Sequence, residues 1–267
     1  MERLINKNMF ENSDYELWQG NCLELMDNIP NSSVDMIFTD LPYNTTKNSW
    51  DCMIDLVELW RQYKRVIKKN GCVALWAQAP FSHILALSNI EQYKYEWIIE
   101  KTKATGHLNA KKMPMKSHEN IMIFADLDET PETLQIFYNR LPTYNPQMSE
   151  GHTPVHNYTK HTTDGCCYGK TKIGISGGGS TQRYPRDVLQ FKWDTQKSSL
   201  HPTQKPLEAC EYFIKTYTNT GDIVLDSCAG SMTTGIAAIN TGRKVICIEK
   251  DKDIFKIGKN RVAEHLK

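Results

Sequence analysis

The chain has 267 residues, 40% of them hydrophobic and 24% charged, enough to bury one large core. Its 32 Lys and Arg against 31 Asp and Glu leave a formal charge of +1, which excludes a uniformly basic nucleic-acid coat and confines any such surface to a local patch. The opening residues carry Glu2, Arg3 and Lys7 without the apolar run of a signal peptide, and no stretch approaches the roughly 18 apolar residues of a membrane span, so a cytoplasmic protein with no membrane partner is expected.

In chain order, β-rich runs alternate with helical stretches. A strand is predicted at 15–18, a short helix at 22–29, and a mostly apolar strand at 34–38 that ends in Thr39-Asp40. Leu56, Leu59, Trp60 and Tyr63 recur at helical spacing within 53–68, with Gly71 as the stop. Strands at 72–76, 95–99 and 118–124 and a helix at 81–90 follow. Alternation at this pace predicts an α/β fold with a doubly wound parallel sheet. Between 126 and 200 the regularity fades into Pro, Gly, Thr, Asn, His, Tyr and Lys, with Gly177-Gly178-Gly179 as the clearest flexible point. So long a structureless stretch is normally functional, and an insert that touches a ligand is expected there. Regular patterning returns with helices at 207–216, 233–240 and 254–266 and strands at 223–226 and 244–248.

The cysteines follow the same division. Cys72, Cys210 and Cys247 fall inside predicted elements and read as small core residues with free thiols. Cys166 and Cys167, near His152, His156 and His161, lack the two-residue gap of zinc knuckles, so a polar loop without metal is expected.

Two segments carry chemistry. The strand ending at Asp226 runs through a glycine-bearing turn, Ser227 to Gly230, into the helix that starts at Thr233. Ligands of doubly wound sheets sit beyond strand carboxyl ends, where such turns bring backbone N–H groups close. The turn lacks the GxGxxG pattern of pyrophosphate sites and the Gly-Lys-Ser/Thr ending of triphosphate sites, which counts against NAD and ATP. About 20 residues on, Glu249 ends the next strand, where a carboxylate accepts hydrogen bonds from ribose hydroxyls.

The second segment is Thr39-Asp40-Leu41-Pro42-Tyr43-Asn44. An exocyclic amine on a nucleobase is a poor nucleophile because its lone pair is delocalised into the ring. Acceptors at the Asp40 carboxylate and the Leu41 carbonyl favour a more pyramidal nitrogen. Pro42 restricts Leu41 and so pre-aims that carbonyl, and Tyr43 offers a flat face for an extruded base. An ordinary strand exit has the same pattern, and the position at a strand end together with the first segment decides for chemistry.

Over nearly the whole chain, this combination resembles the β-class amino-group DNA methyltransferases, including versions common in phages and prophages. Asp40-Leu41-Pro42-Tyr43 is similar to the family's Asp-Pro-Pro-Tyr motif, His201-Pro202-Thr203-Gln204-Lys205-Pro206 matches the segment before its cofactor strand, and residues 226–235 look like its cofactor loop. The resemblance implies a Rossmann-like S-adenosylmethionine-dependent sheet split into a catalytic half (1–125), a target-recognition insert (126–200) and a cofactor-binding half (201–267). It further implies that Asp226, Cys228, Gly230, Ser231 and Thr233 hold the methionine part of S-adenosylmethionine, with Thr203 and Lys205 nearby, Glu249 on the ribose and Gly20-Asn21 near the adenine. Asp40 favours adenine N6, since many cytosine-N4 relatives carry Ser there.

Some positions depart from the family. Leu41 replaces a proline, Asn21 replaces an acid, and Met232 places a side chain where the cofactor turn often has Gly and is expected to crowd that turn. Asn21 and Met232 keep open a DNA- or cofactor-binding module without turnover, and a cytosine-N4 enzyme is the alternative to the adenine preference read from Asp40. Protein or RNA methylation is disfavoured by the long polar insert and by Asp rather than Asn at position 40. Double-stranded DNA is the expected partner, with a homodimer and a cognate restriction endonuclease left open. Lys101, Lys103, Lys111, Lys112 and Lys116 form one basic cluster; Lys160, Lys170, Lys172, Arg183 and Arg186 form another, interleaved with Tyr158, Tyr168 and Tyr184.

Overall fold

The computed structural model describes residues 10, 13–43, 53–125, 141–159, 174–192 and 204–267. Its strands are β1 (Tyr15–Gln19), β2 (Val34–Asp40), β3 (Ile67–Ala77), β4 (Tyr93–Thr105), β5 (Lys116–Ala125), β6 (Tyr158–Thr159), β7 (Ser176–Gly177), β8 (Val188–Phe191), β9 (Ile223–Asp226) and β10 (Lys244–Glu249). The α-helices are α1 (Cys22–Leu25), α2 (Leu56–Val66), α3 (Phe81–Ser88), α4 (Leu207–Tyr217), α5 (Thr233–Asn240) and α6 (Lys252–His265). The chain forms two units, Met1–Asn145 with Asp187–Lys267, and Pro146–Arg186. Among the described residues no helix is long and apolar enough to cross a membrane.

The larger unit is built on an eight-stranded sheet ordered β1-β10-β9-β2-β3-β5-β4-β8. Side chains alternate across β2, so Met36 and Phe38 join one buried layer and Ile37 the other. On the first face α4, α5 and α6 supply Cys210, Phe213, Ile236, Ala237 and Val262. On the second, α1, α2 and α3 supply Cys22, Leu59, Tyr63, Phe81 and Leu85 against Val73, Leu75 and Leu225. Cover on both faces is what makes the central strands continuous apolar runs.

The sheet is parallel through its first five strands, but β5 runs against both its neighbours. A wholly parallel sheet fails here because β4 returns to β5 through a direct hairpin, which needs no crossover helix. Two further readings change. Helix α2 ends at Val66 and β3 begins at Ile67, ahead of Gly71. Gly71 lies where β3 shifts register against β2, and a Cβ there would meet Ile67 Cγ1 at 2.6 Å and the Asp35 carbonyl at 2.9 Å. Close approach, rather than helix termination, is therefore its physical role. Strand β8 was hidden because only Phe191 of its four residues is buried.

In the smaller unit, β6 and β7 form a two-residue antiparallel ladder, and Ser149 bridges Arg183. Cys166, Cys167, His161, Lys160, Tyr168, Lys170 and Lys172 lie outside the described residues.

Candidate active site

Parallel pairing of Met36 with Val224 and Ile37 with Leu225 brings the carboxyl ends of β2 and β9 side by side. There the fully buried Thr39 hydroxyl donates to Asp226 Oδ1 at 2.7 Å, and the Cys228 N–H reaches the same oxygen at 3.2 Å. Thr234, from the first turn of α5, also hydrogen-bonds Asp226. Burial outweighs these bonds and pushes the Asp226 carboxyl up to about 7.

The turn after Asp226 is tied down at several points. The Ser227 and Tyr63 hydroxyls are 2.6 Å apart, and the Cys228 thiol hydrogen-bonds that of Cys22. Gly230 has φ +50°, and a Cβ built on it would meet no atom within 4 Å. Its N–H donates to Glu249 Oε2 at 2.8 Å, while Asp251 N–H donates to Glu249 Oε1 at 2.8 Å. Gly20 N–H donates to the Glu249 carbonyl at 2.9 Å, so Gly20 and Asn21 stand beside Glu249 as well. Asn21 caps α1, accepting from Leu23 N–H. Ser231 and Thr233 are held from α6: one Arg261 nitrogen donates to the Ser231 carbonyl and to the Thr233 hydroxyl, each at 2.8 Å.

Met232 adopts φ +61° and is fully buried. Its side chain packs into the notch at Gly258 of α6, where a Cβ would come within 2.8 Å of Met232 Cγ and 3.0 Å of the Gly230 carbonyl. The expected crowding of the cofactor turn is thus replaced by a lock between turn and helix. A left-handed non-glycine residue costs on the order of 1–3 kcal/mol, which burial of the thioether side chain offsets. Gly258→Ala should cost about 1–3 kcal/mol by overpacking and displace the Gly230 turn. Thermal melting and cofactor titration check this, and unchanged values in both would contradict the lock.

The catalytic segment lies at the same sheet end. Asp40 accepts from the Tyr43 hydroxyl at 2.6 Å and pairs with Lys205 Nζ at 2.9 Å. Lys205 also contacts Glu119 Oε2 at 2.8 Å and lies 5.0 Å over the Trp76 ring, and Glu119 in turn pairs with Lys101 at 2.7 Å. The result is an alternating row, Asp40–Lys205–Glu119–Lys101, with the last three side chains only 10–13% exposed. Burial raises the Asp40 pKa, with Lys205 opposing and Glu119 adding to the rise. Burial also disfavours charge on Lys205 and Glu119, but their partners prevail, raising Lys205 and lowering Glu119. Leu41 is buried, and the Tyr43 ring stacks on Phe81 with centroids 4.8 Å apart, which fixes its plane. Beside Lys205, Gln204 Oε1 is buried and has no hydrogen-bond partner among the described residues.

Of the residues singled out from sequence, Asp40, Leu41, Pro42, Tyr43, Lys205, Asp226, Cys228, Gly230 and Glu249 are brought to one end of one sheet. Ser231 and Thr233 point to Arg261, and Thr203 lies outside the described residues. The sequence reading placed Thr39 in the catalytic segment, Thr234 in the cofactor loop and Lys101 in a basic cluster without their supporting contacts, and it missed Glu119.

The fold has known relatives. Over 96% of its length the chain is 29% identical to the DNA adenine methyltransferase YhdJ of Escherichia coli (strain K12), covering 86% of that protein. Among solved structures it is similar to the M1.HpyAVI–SAM complex, at 22% identity and TM-score 0.58 over 93% of this chain and 98% of that one. It is also similar to the cytosine-N4-specific PvuII DNA methyltransferase, at 15% identity and TM-score 0.63 over 93% and 88%. These two likenesses show a shared fold. The family described as DNA methylase, of the N6/N4 type, matches residues 34–260, and the chain belongs to that family.

Proposed function

We propose that this DNA methylase transfers the methyl group of S-adenosylmethionine to adenine N6 in double-stranded DNA, with Asp40 and the Leu41 carbonyl holding the amine. One observation carries the reading. Thr39 bonds Asp226 and the next residue is Asp40, so the two carboxylates the chemistry needs end neighbouring parallel strands.

The residues fit the cofactor. Asp226 is a buried carboxylate whose raised pKa a cationic ammonium group would bring down, and the space at Gly230 is open. The Glu249 carboxylate accepts from the backbone N–H groups of Gly230, Asp251 and Lys250 and retains lone-pair capacity for a ribose hydroxyl. Lys205 has three donors, two of them directed at Asp40 and Glu119, which leaves one for the methionine carboxylate. Thr203, Ser231, Thr233, Cys228, Gly20 and Asn21 complete the proposed cofactor set. When bound, S-adenosylmethionine supplies a sulfonium methyl group that is already a good electrophile.

The chain's own residues then have defined tasks. Tyr43 and Lys205 use two of the roughly four lone-pair sites of the Asp40 carboxylate, leaving acceptor capacity for an amine hydrogen. The Leu41 carbonyl takes the second hydrogen. Lys205 opposes the rise that burial imposes on the Asp40 pKa, and Glu119, which shares Lys205, adds to that rise. Asp40 finally holds the proton that the alkylated nitrogen sheds. The ring plane of Tyr43, set by Phe81, stacks the flipped base. All the residues given these tasks lie in one chain. The cytoplasm is the proposed place of action, a reading supported by the family's action on DNA.

Adenine is favoured over cytosine by Asp at position 40 and by the relative named as a DNA adenine methyltransferase. Purified protein with isotope-labelled S-adenosylmethionine and unmethylated DNA should yield N6-methyldeoxyadenosine as the labelled nucleoside on mass spectrometry. Labelled N4-methyldeoxycytidine would overturn the base assignment, and DNA binding without any transfer would leave a binding module only.

A further inference from the structure

Beyond the strand that carries Glu119, the β4–β5 hairpin continues outward with a charge pattern the reaction itself does not use. From Lys101 to His118 the sequence holds five lysines and no carboxylate. Lys101 is taken by Glu119 and Lys116 Nζ lies 3.4 Å from the Ala79 carbonyl, whereas among the described residues no carboxylate pairs with Lys103, Lys111 or Lys112. Every residue from 102 to 118 is exposed.

The direction of the hairpin follows from strand register. Trp76 of β3 pairs with Asp40 on one side and with Ile121 of β5 on the other, and Glu100 of β4 pairs with His118. The carboxyl end of β4 and the amino end of β5 therefore leave the sheet at the end where Asp40 sits. Lys101 and Glu119 anchor the stem directly in the row of charges that reaches Asp40. From Lys101 to Thr105 the strand advances roughly 13 Å, comparable with the about 12 Å width of a DNA major groove. Gly106, at φ +91°, then turns the chain into a tip bearing Leu108, which is 88% exposed, and Met113, at 55%. Lysines free of carboxylates interleaved with exposed apolar side chains suit a nucleic-acid surface, where cations neutralise phosphates and apolar groups meet sugars and base edges.

We propose that this hairpin grips the backbone of the duplex beside the target base, with Lys103, Lys111 and Lys112 on phosphates. It is a DNA contact inside the catalytic unit and separate in sequence from the 126–200 stretch. The inference rests on the reading of the chain as a methyltransferase of double-stranded DNA. Each phosphate contact contributes about 0.9 to the slope of log affinity against log salt, because counterions are released on binding.

The test is fluorescence anisotropy of a labelled 30-base-pair duplex of mixed sequence, titrated across a salt series. The variant combines Lys103→Gln, Lys111→Gln and Lys112→Gln. A control removes two exposed α6 lysines, Lys256→Gln and Lys259→Gln. The hairpin variant is expected to lower the salt slope by about 2–3 and weaken binding at least roughly ten-fold at low salt, with an unchanged melting temperature. The control should keep the wild-type slope. Wild-type affinity and slope in the hairpin variant would overturn the proposal, as would an equal loss in the control. If the wild type methylates DNA and the hairpin variant still binds like it, the hairpin role alone falls; if the wild type methylates no DNA, the functional reading beneath it falls.

Discussion

Asp40→Ala is expected to slow methyl transfer by about 10²–10³-fold or more while leaving S-adenosylmethionine binding within a few-fold of wild type. The carboxylate is the acceptor that makes a delocalised amine nucleophilic, and without it only the Leu41 carbonyl remains. The fold should tolerate the change, because Lys205 keeps Glu119 as its partner and a place over the Trp76 ring. Asp40→Asn should fall between the two: it retains one acceptor oxygen but presents an amide donor towards Lys205 or the incoming amine. Single-turnover transfer with both substrates saturating reads the chemical step separately from binding. A wild-type rate in Asp40→Ala would remove Asp40 from the mechanism.

Asp226→Asn is expected to abolish measurable cofactor binding and yet stabilise the free protein above neutral pH. The folded-state carboxyl is pushed up to about 7 from an ordinary value of 3.8. Below pH 4 it is protonated in folded and unfolded chains alike and contributes nothing. Between pH 4 and 7 the unfolded chain ionises first, so stability falls as pH rises, and above pH 7 the full penalty applies, at most about 4 kcal/mol. Asparagine carries no such penalty and can still accept from Thr39 and the Cys228 N–H through its amide oxygen. Melting temperatures of the two proteins should coincide near pH 4 and diverge in favour of the variant by pH 8. In the wild type, cofactor affinity should rise with pH up to about 7, because the ammonium partner needs the ionised carboxylate. A variant no more stable than wild type at pH 8 would show that Asp226 is not strained by burial.

How much of this was legible in the sequence depends on the distance over which each feature is determined. The β2 and β9 strands and the turn after Asp226 were readable because apolar runs, a terminal carboxylate and a glycine all lie within a few residues of one another. Their meeting was readable only through the family resemblance, since Thr39 and Asp226 are 187 residues apart. Glu119 was invisible because nothing local marks it. It stands as one charge at the foot of an apolar strand, and its partner Lys205 is 86 residues away. The direction of the Met232 side chain is decided by the missing Cβ of Gly258, on another helix, so inspection of the turn alone suggested crowding where the structure has packing. Strand β8 and the reversal of β5 were likewise set by tertiary pairing: Val188–Phe191 gains its strand character from the edge offered by β4.

The central claim is that the Asp40 and Asp226 segments together make a DNA amino-group methyltransferase. Long-read sequencing of DNA from cells expressing the wild-type chain or Asp40→Ala, at matched soluble levels, tests it most directly by reporting both the modified base and its context. Methylated adenine amines at one recurring sequence in the wild-type cells, and none beyond background in the variant cells, is the predicted result. Identical base modification in wild-type, variant and empty-vector cells would contradict it.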